Sequence, residues 1–406
     1  MGQFRFLTAG ESHGKGLITI VEGMVAGLPV EAEHINKELK RRQAGYGRGP
    51  RMGIEEDKVE IVSGVRYGLT MASPIALFIP NRDWQNWQEQ LSVAPPEKEA
   101  EPVTRPRPGH ADLAGVTKYG LKDIRPIIER ASARETATRV GAGAIAKRFL
   151  EEFGIVIHSH TIAIGQSHCS MQEAIPINWQ QVEASSVRCA DAKVEKEMIA
   201  AIDEAKAEGD TLGGIFEVIA NGVPLGLGSH VHWDRRLDGR IAQAIMSINA
   251  VKGVEIGSGF VLAELKGSQA HDVIEPNPRV ILSQSPERSE GEATKQSLLW
   301  HHASNRAGGI EGGITNGEPV VIRAAVKPIA TLAKPLPSID LCSGEVATAH
   351  YERSDICVVP AAGVIAEAML AIVLADACLE KFGGDNLKET LTNYHNYLSS
   401  ISYFSP

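Results

Sequence analysis

The sequence has few cysteines and none of the spacings that mark a metalloprotein, a disulfide scaffold or a generic nucleotide binder. Its 406 residues include five cysteines, Cys169, Cys189, Cys342, Cys357 and Cys378, an odd number with no CxxC pair. Reduced structural thiols are expected, and with no HExxH pattern either, no metal site is expected. No GxxxxGK[ST] loop occurs, and the glycine-rich NRAGGIEGGITNGEP is not a GxGxxG fingerprint following a strand. A bulk excess of positive charge is also missing. The formal net charge is -9 and the pI is near 5.8, which argues against a general nucleic-acid binder. The opening MGQFRFLTAGESHG has no hydrophobic signal core, and the most apolar stretch, Ala361 to Cys378, is interrupted by Glu367 and Asp376. Neither secretion nor membrane spanning is expected, and a cytoplasmic location is.

Against this acidic background, the twelve residues from Lys40 to Arg51, KRRQAGYGRGPR, carry five cationic side chains, three glycines and no acid. The bias recurs in TRPRPGH (Thr104 to His110), in ERASARET around Arg130 and Arg134, and at Arg353 in ERSD. Separate cationic loops in an acidic chain point to a pocket for a phosphorylated, carboxylated small molecule. The alternative for Lys40 to Arg51 is a solvated helix end. Arg48 and Arg51 stand in the glycine-rich turn, where a fixed backbone can aim a guanidinium fork.

Hydrophobic patterning predicts strands at Phe4 to Thr8 and Leu17 to Val25 flanking GESHGKG, then a helix from near Glu31 into the cationic loop. Short strands follow at Val59 to Ser63 and Ala76 to Ile79. The Trp-, Gln-, Glu- and Pro-rich segment 81–104 is expected as an excursion or flap. A helix is predicted over Ser132 to Phe153, stopped by Gly154, with Ser132 in its first turn. Strands are expected at Ile155 to Ile164 and Ile215 to Ala220, a charged helix at Glu195 to Glu208, and strands with glycine turns up to Thr331. The ends of ERASARETATRVGAGAIAKRFLEEFG and ERSDICVVPAAGVIAEAMLAIVLADACLEKFG are alike, either as two pseudo-repeated halves or as two Ala-rich helices. No linker separates folding units. One α+β domain over 1–395 with a tail at 396–406 is the expectation.

Three residues stand out as proton carriers, each with a plainer alternative. His13, in GESHGKG, is either a proton donor to a departing oxygen or a turn histidine that caps or packs. His110 in RPRPGHAD has the same two readings, with arginines beside it. Asp355, between Arg353-Ser354 and the apolar Ile356 to Val359, is a base or else a helix cap or ion-pair partner of Arg353.

Together, GESHGKGLITIVEG, ERASARETATRVGAGAI and RSDICVVPAAGVIAEAM resemble the three signature segments of the chorismate synthase family. KRRQAGYGRGPRM, RPGHAD, MSINAVKGVEIG, NRAGGIEGGITNGEP and AAVKPIATL are similar to further blocks of that family, in its order, over about Phe4 to Glu380. The resemblance implies conversion of 5-enolpyruvylshikimate 3-phosphate to chorismate on reduced FMN, in a homotetramer with a β-α-β sandwich core. It assigns the substrate anion to Arg42, Arg48, Arg51, Arg107, Arg134 and Arg353, and associates Arg42 and Arg48 with NADP. By the same resemblance His13 protonates the departing phosphate, His110 protonates the reduced flavin, and Asp355 relays a proton from flavin N5. Ser12 and Ser132 sit near substrate and flavin. FMN is assigned to Arg130, Ala131, Ser132, Asn249, Ala250, Gly312, Lys327, Pro328, Ile329, Ala330, Thr331 and Arg353. The absence of an added reductase domain favours dependence on an external flavin reductase, with NADPH as an ultimate reductant. Two rivals remain: a flavoprotein oxidising another acidic metabolite, and an RNA-binding or assembly protein using Lys40 to Arg51 as a phosphate-contacting arm.

Overall fold

A computed structural model describes residues 4–49, 54–96, 100–169, 177–276 and 300–401. Arg51, expected to contact substrate, lies outside them. Helices and sheets are mixed in one body. The first sheet has four antiparallel strands, Arg5–Ala9, Gly16–Glu22, Ile75–Pro80 and Glu60–Ser63 in that spatial order. Alternation from Leu17 to Val21 buries Leu17, Thr19 and Val21 and turns Ile18 and Ile20 outward. The second sheet has five, in the order Val251–Ile256, Val320–Val326, Gly214–Asn221, Val156–Ile164 and Ser167–His168.

Two long helices lie against each other between these sheets. Thr136–Glu151 packs on Gly16–Glu22 and Ile75–Pro80, and Val359–Phe382 packs on Val156–Ile164 and Gly214–Asn221. Their crossing is close because position 143 has no side chain. A Cβ on Gly143 would stand 2.3 Å from Ala368 Cβ and 2.6 Å from its Cα, so the small-residue run GAGAIA sets the helix spacing. Val359–Phe382 is long and apolar enough to cross a membrane, but its whole apolar window is buried inside the protein. A helix apolar on all sides is what a core between two layers requires.

Two expectations are corrected here. The helix predicted from Ser132 begins only at Thr136. Ser132 is extended (φ -62°, ψ 141°) between the Arg125–Ala131 helix and a short 3-10 turn at Ala133–Glu135, and its Oγ accepts from Arg134 N. An Ala-rich helical period continues through this break, so periodicity alone could not reveal it. The tail drawn at 396 starts inside a helix, Leu387–Ile401, with Thr390 and Tyr394 buried. Tyr394 and Tyr397 donate to the carbonyls of Phe153 and Leu225, docking that helix on the body.

Candidate active site

The loop between the first two strands, GESHGKG, is fixed from several sides. Asn81 Nδ2 donates to the carbonyls of Glu11 (3.1 Å) and Gly14 (2.8 Å), and Ser12 N donates to Glu129 O. His13 N donates to Glu129 Oε2 (2.8 Å), and its Nδ1 lies 2.9 Å from Glu129 Oε1. Ser12 Oγ donates to Ser132 Oγ at 3.0 Å, tying this loop to the break before the long helix. His13, Ser12 and Ser132 therefore face one cavity of about 980 Å³. Such a volume lies at the upper end of the roughly 300–1,000 Å³ typical of small-molecule sites.

Arginines line this cavity, with Asp57 and Asp112 behind them and Asp355 beside Arg48 in the lining. Arg42, Arg48, Arg107, Arg134 and Arg353 all reach its wall, together with Lys327. Asp57 is shared: Arg42 Nη2 donates to its Oδ2 at 2.7 Å and Arg134 Nη1 donates to its Oδ1. Burial raises the Asp57 carboxyl, but Arg42 and Arg134 outweigh it and hold it below the usual range. Arg134 also donates to Asn81 Oδ1, and Arg42 to Thr136 Oγ1. Burial lowers the Arg134 and Arg48 guanidiniums, and positive Arg42 nearby adds to that lowering, against the acids that support them. Arg42 Nε is buried without a hydrogen-bond partner. Two buried guanidiniums around one carboxylate, with an unused donor, make a site that an anion would stabilise.

Asp355 does not pair with Arg353. Its Oδ2 lies 3.1 Å from Arg48 Nη1, and its Oδ1 accepts Gly49 N at 2.6 Å. A Cβ on Gly49 would come within 2.8 Å of Ser354 O and 3.2 Å of Asp355 Oδ1, so glycine is what allows this approach. The cationic loop is thus folded against the ERSD segment. Arg41 faces away, onto Glu38, Glu183 and Glu367.

On another side, Arg107, His110 and Asp112 form a network. Arg107 Nε donates to Asp112 Oδ2 (2.8 Å), Arg107 Nη1 donates to Thr331 Oγ1 (2.9 Å), and His110 Nδ1 is 2.5 Å from Asp112 Oδ1. Burial raises the Asp112 carboxyl, yet hydrogen bonds from His110 and Arg107 bring it well below the carboxylate range. Lys327 Nζ donates to Gly109 O, and Lys327 N donates to Ala250 O, so KPIAT, RPGH and NA meet here. Ala250 adopts φ 67°, uncommon for a residue with a Cβ. Asn249 Nδ2 donates to Ala131 O at 3.0 Å. The wall between is apolar: Ile128, Ile248, Val358, Ala361 and Ile365.

Ala131, Ser132, Asn249, Ala250, Lys327, Pro328, Ile329, Ala330, Thr331 and Arg353 thus share one cavity with the arginines, His13, His110 and Asp355. Two expected flavin residues do not line it. Arg130 is exposed and donates to Thr8 O, Thr8 Oγ1 and Gly10 O, because the helix phase that turns Ala131 inward turns Arg130 outward. Gly312 (φ 58°) sits in the tight turn between Ile310–Glu311 and Ile314–Thr315, where a Cβ would meet nothing within 4 Å.

Sequence reasoning missed Asp57, Asp112 and Glu129, the carboxylates that hold Arg42, Arg107 and His13. Asp112 stood two residues from His110, and Glu129 inside ERASARET, so proximity to a candidate was a usable signal for both. Asp57 had only an acidic run after the cationic loop. Trp87, read as part of a surface flap, stacks on His13 with ring centres 4.1 Å apart.

The chorismate synthase family model matches residues 4–379. The chain is 55% identical over 403 residues to a chorismate synthase of Moorella thermoacetica, covering 98% of this chain and 100% of that protein. It is 52% identical over 410 residues to one from Aquifex aeolicus, with 98% of each covered. A crystal structure of a chorismate synthase superposes with a TM-score of 0.77 at 44% identity, over 99% of both chains. Arginines, histidines and an aspartate brought into one cavity from segments spread over the whole chain, and relatives aligned end to end, agree: this chain belongs to the chorismate synthase family.

Proposed function

We propose that this chain is a carbon-oxygen lyase that converts 5-enolpyruvylshikimate 3-phosphate to chorismate and phosphate by 1,4-anti elimination on reduced FMN. That step ends the shikimate pathway and feeds aromatic amino acid biosynthesis. The observation that carries the reading is the charge layout. Five guanidiniums and one ammonium line the cavity, and Asp57 and Asp112, which hold Arg42, Arg134 and Arg107, stand outside its lining, which suits a substrate with one phosphate and two carboxylates. The donor set also fits FMN: an ammonium at Lys327, hydroxyls at Thr331 and Ser132, and an apolar aliphatic wall for a flat ring. Reduced flavin, when bound, supplies transient electron density to the substrate and a basic ring nitrogen.

The protein's share is binding, orientation and proton movement. Arg42, Arg48, Arg107 and Arg134 hold the substrate anions, with Arg353 at the mouth. His13 donates a proton to the departing phosphate. His110, oriented by Asp112, delivers a proton to the reduced cofactor. Asp355 takes up and passes on a proton at Oδ2, the oxygen it shares with Arg48. Arg42 and Arg48 face the same cavity as the other arginines, so an NADP phosphate there would compete with substrate. We read the reductant as coming from an external flavin reductase, with NADPH as its source, in the cytoplasm.

The two sheets with paired helices between them suit a β-α-β sandwich of two pseudo-repeated halves. The outward face of the first sheet exposes Leu7, Ile18 and Ile20, with Leu7 opposite Ile20, a strip that a second copy would cover in a homotetramer. An Ile20→Lys variant is expected to run as a smaller species in light scattering.

Anaerobic incubation with dithionite-reduced FMN and 5-enolpyruvylshikimate 3-phosphate tests the activity. Chorismate and phosphate in equal amounts, with flavin returning to its reduced spectrum, are expected. Folded, FMN-binding protein that gives no product, or leaves the flavin oxidised in proportion to turnover, would overturn the reading.

A further inference from the structure

The His13 ring is held on two sides by groups that no assignment above uses. Glu129, on the Arg125–Ala131 helix and 2% exposed, takes Nδ1 at 2.9 Å and also accepts the His13 backbone N-H. The Trp87 indole lies on a face of the ring at 4.1 Å and 24°. Arg125 joins the two: its guanidinium carbon stands 5.2 Å from the Trp87 ring, and its Nη1 bridges Glu129 and Glu352. Asp83 accepts from Trp87 Nε1 (3.2 Å) and from Asn86 Nδ2, holding the indole within its own turn, and Arg82 N donates to Glu55 Oε2 (3.0 Å) where that turn meets the body. His350 in turn contacts Glu352. The charged groups packed around His13 are therefore Glu129 and Arg125 from the helix, Asp83 by way of the indole, and Glu352 with His350 by way of Arg125.

We propose that Glu129 and Trp87 are positioning residues that clamp His13, keeping Nδ1-H on the carboxylate so that Nε2 is the nitrogen that serves the cavity. A proton then leaves Nε2 for the phosphate oxygen as the C-O bond breaks, and the neutral ring that remains keeps its Nδ1-H on Glu129. The stacked indole fixes the ring plane. The 81–91 part of the excursion is thereby a wall of the site. The catalytic consequence rests on the proton-donor reading of His13; the clamp itself can be read without turnover.

Imidazolium quenches a stacked indole, so the fluorescence of the cofactor-free protein should step with pH through the His13 titration. Trp179 stacks on His158, and the difference between wild type and Trp87→Phe removes that second pair. The step is expected to vanish in His13→Asn and to shrink in Glu129→Gln, where the ring is no longer held against the indole. In turnover, Glu129→Gln is expected to lower kcat about ten- to hundredfold with KM and FMN affinity kept. Trp87→Ala should lose about tenfold in kcat, and Trp87→Phe should restore most of it. If His13→Asn turns over normally, the proton-donor role falls while the fluorescence step still reports the clamp. A step absent from wild type, or undiminished in Glu129→Gln, overturns the clamp whatever turnover does.

Discussion

Arg41 and Arg42 are neighbours in sequence and end in opposite kinds of ionic site. Arg41 places Nη1 and Nη2 on Glu367 at 2.7 and 3.0 Å and also reaches Glu38 and Glu183. Lys147, Arg188 and Ser159 complete the shell around that buried carboxylate. Burial raises the Glu367 carboxyl, but Lys147 and Arg41 hold it far below the usual range. Arg42, one residue on, shares Asp57 with Arg134, leaves Nε without a partner and lines the cavity. Both clusters bury charge. The first leaves Arg188 Nε without a hydrogen-bond partner but gathers around Glu367 away from the cavity and serves stability, whereas the second leaves Arg42 Nε and Arg134 Nη2 without one and lines the cavity, open to an anion that enters.

Breaking the closed cluster should cost the most stability. Glu367→Ala leaves Arg41, Lys147 and Arg188 without their common anion and is expected to lose about 3–5 kcal/mol in urea unfolding. Arg134→Met should do the reverse, leaving Asp57 paired with Arg42 and changing stability little, while lowering kcat/KM by about two orders of magnitude or more. Equal effects of the two substitutions on stability and activity would erase the distinction.

That distinction was only partly legible in the sequence. Cationic loops in an acidic chain pointed to an anion, and Arg48, Arg107 and Arg134 do reach one cavity. Which arginine in KRRQ faces ligand depends on helix phase against partners far along the chain, Glu367 for one and Asp57 for the other, which local pattern does not encode. The alternating strands around GESHGKG were legible because one buried face imposes a period of two. The break at Ser132 was not, since alanine suits the helix on both sides of it. Arg130 falls outside the cavity lining for a related reason: a block carries its residues together, but a helix turns adjacent side chains to different surroundings.

Acid sharpens the comparison further. Glu367 and Glu352 have folded values below their ordinary 4.5, Glu352 at about 2, where hydrogen bonding from His350 and the charge of Arg125 outweigh burial. An unfolded chain binds more protons in that window, so their contribution is complete above about pH 4.5 and is lost as pH falls toward 2. Stability of Glu352→Gln should therefore fall less steeply than wild type between those limits in urea titrations at stepped pH. The smallest effect is expected from Arg130→Gln. It loses bonds to Thr8 and Gly10 at the surface and should keep FMN affinity within about threefold. A larger loss would return Arg130 to the cofactor site.

The difference between the two arginine clusters is tested most directly by calorimetric titration of 5-enolpyruvylshikimate 3-phosphate into FMN-loaded wild type, Arg134→Met and Arg41→Met at matched salt. An open cluster predicts that Arg134→Met loses about a hundredfold or more in affinity with its melting temperature nearly kept, while Arg41→Met melts earlier and still binds. Undiminished binding by Arg134→Met, or loss of binding by a folded Arg41→Met, would contradict it.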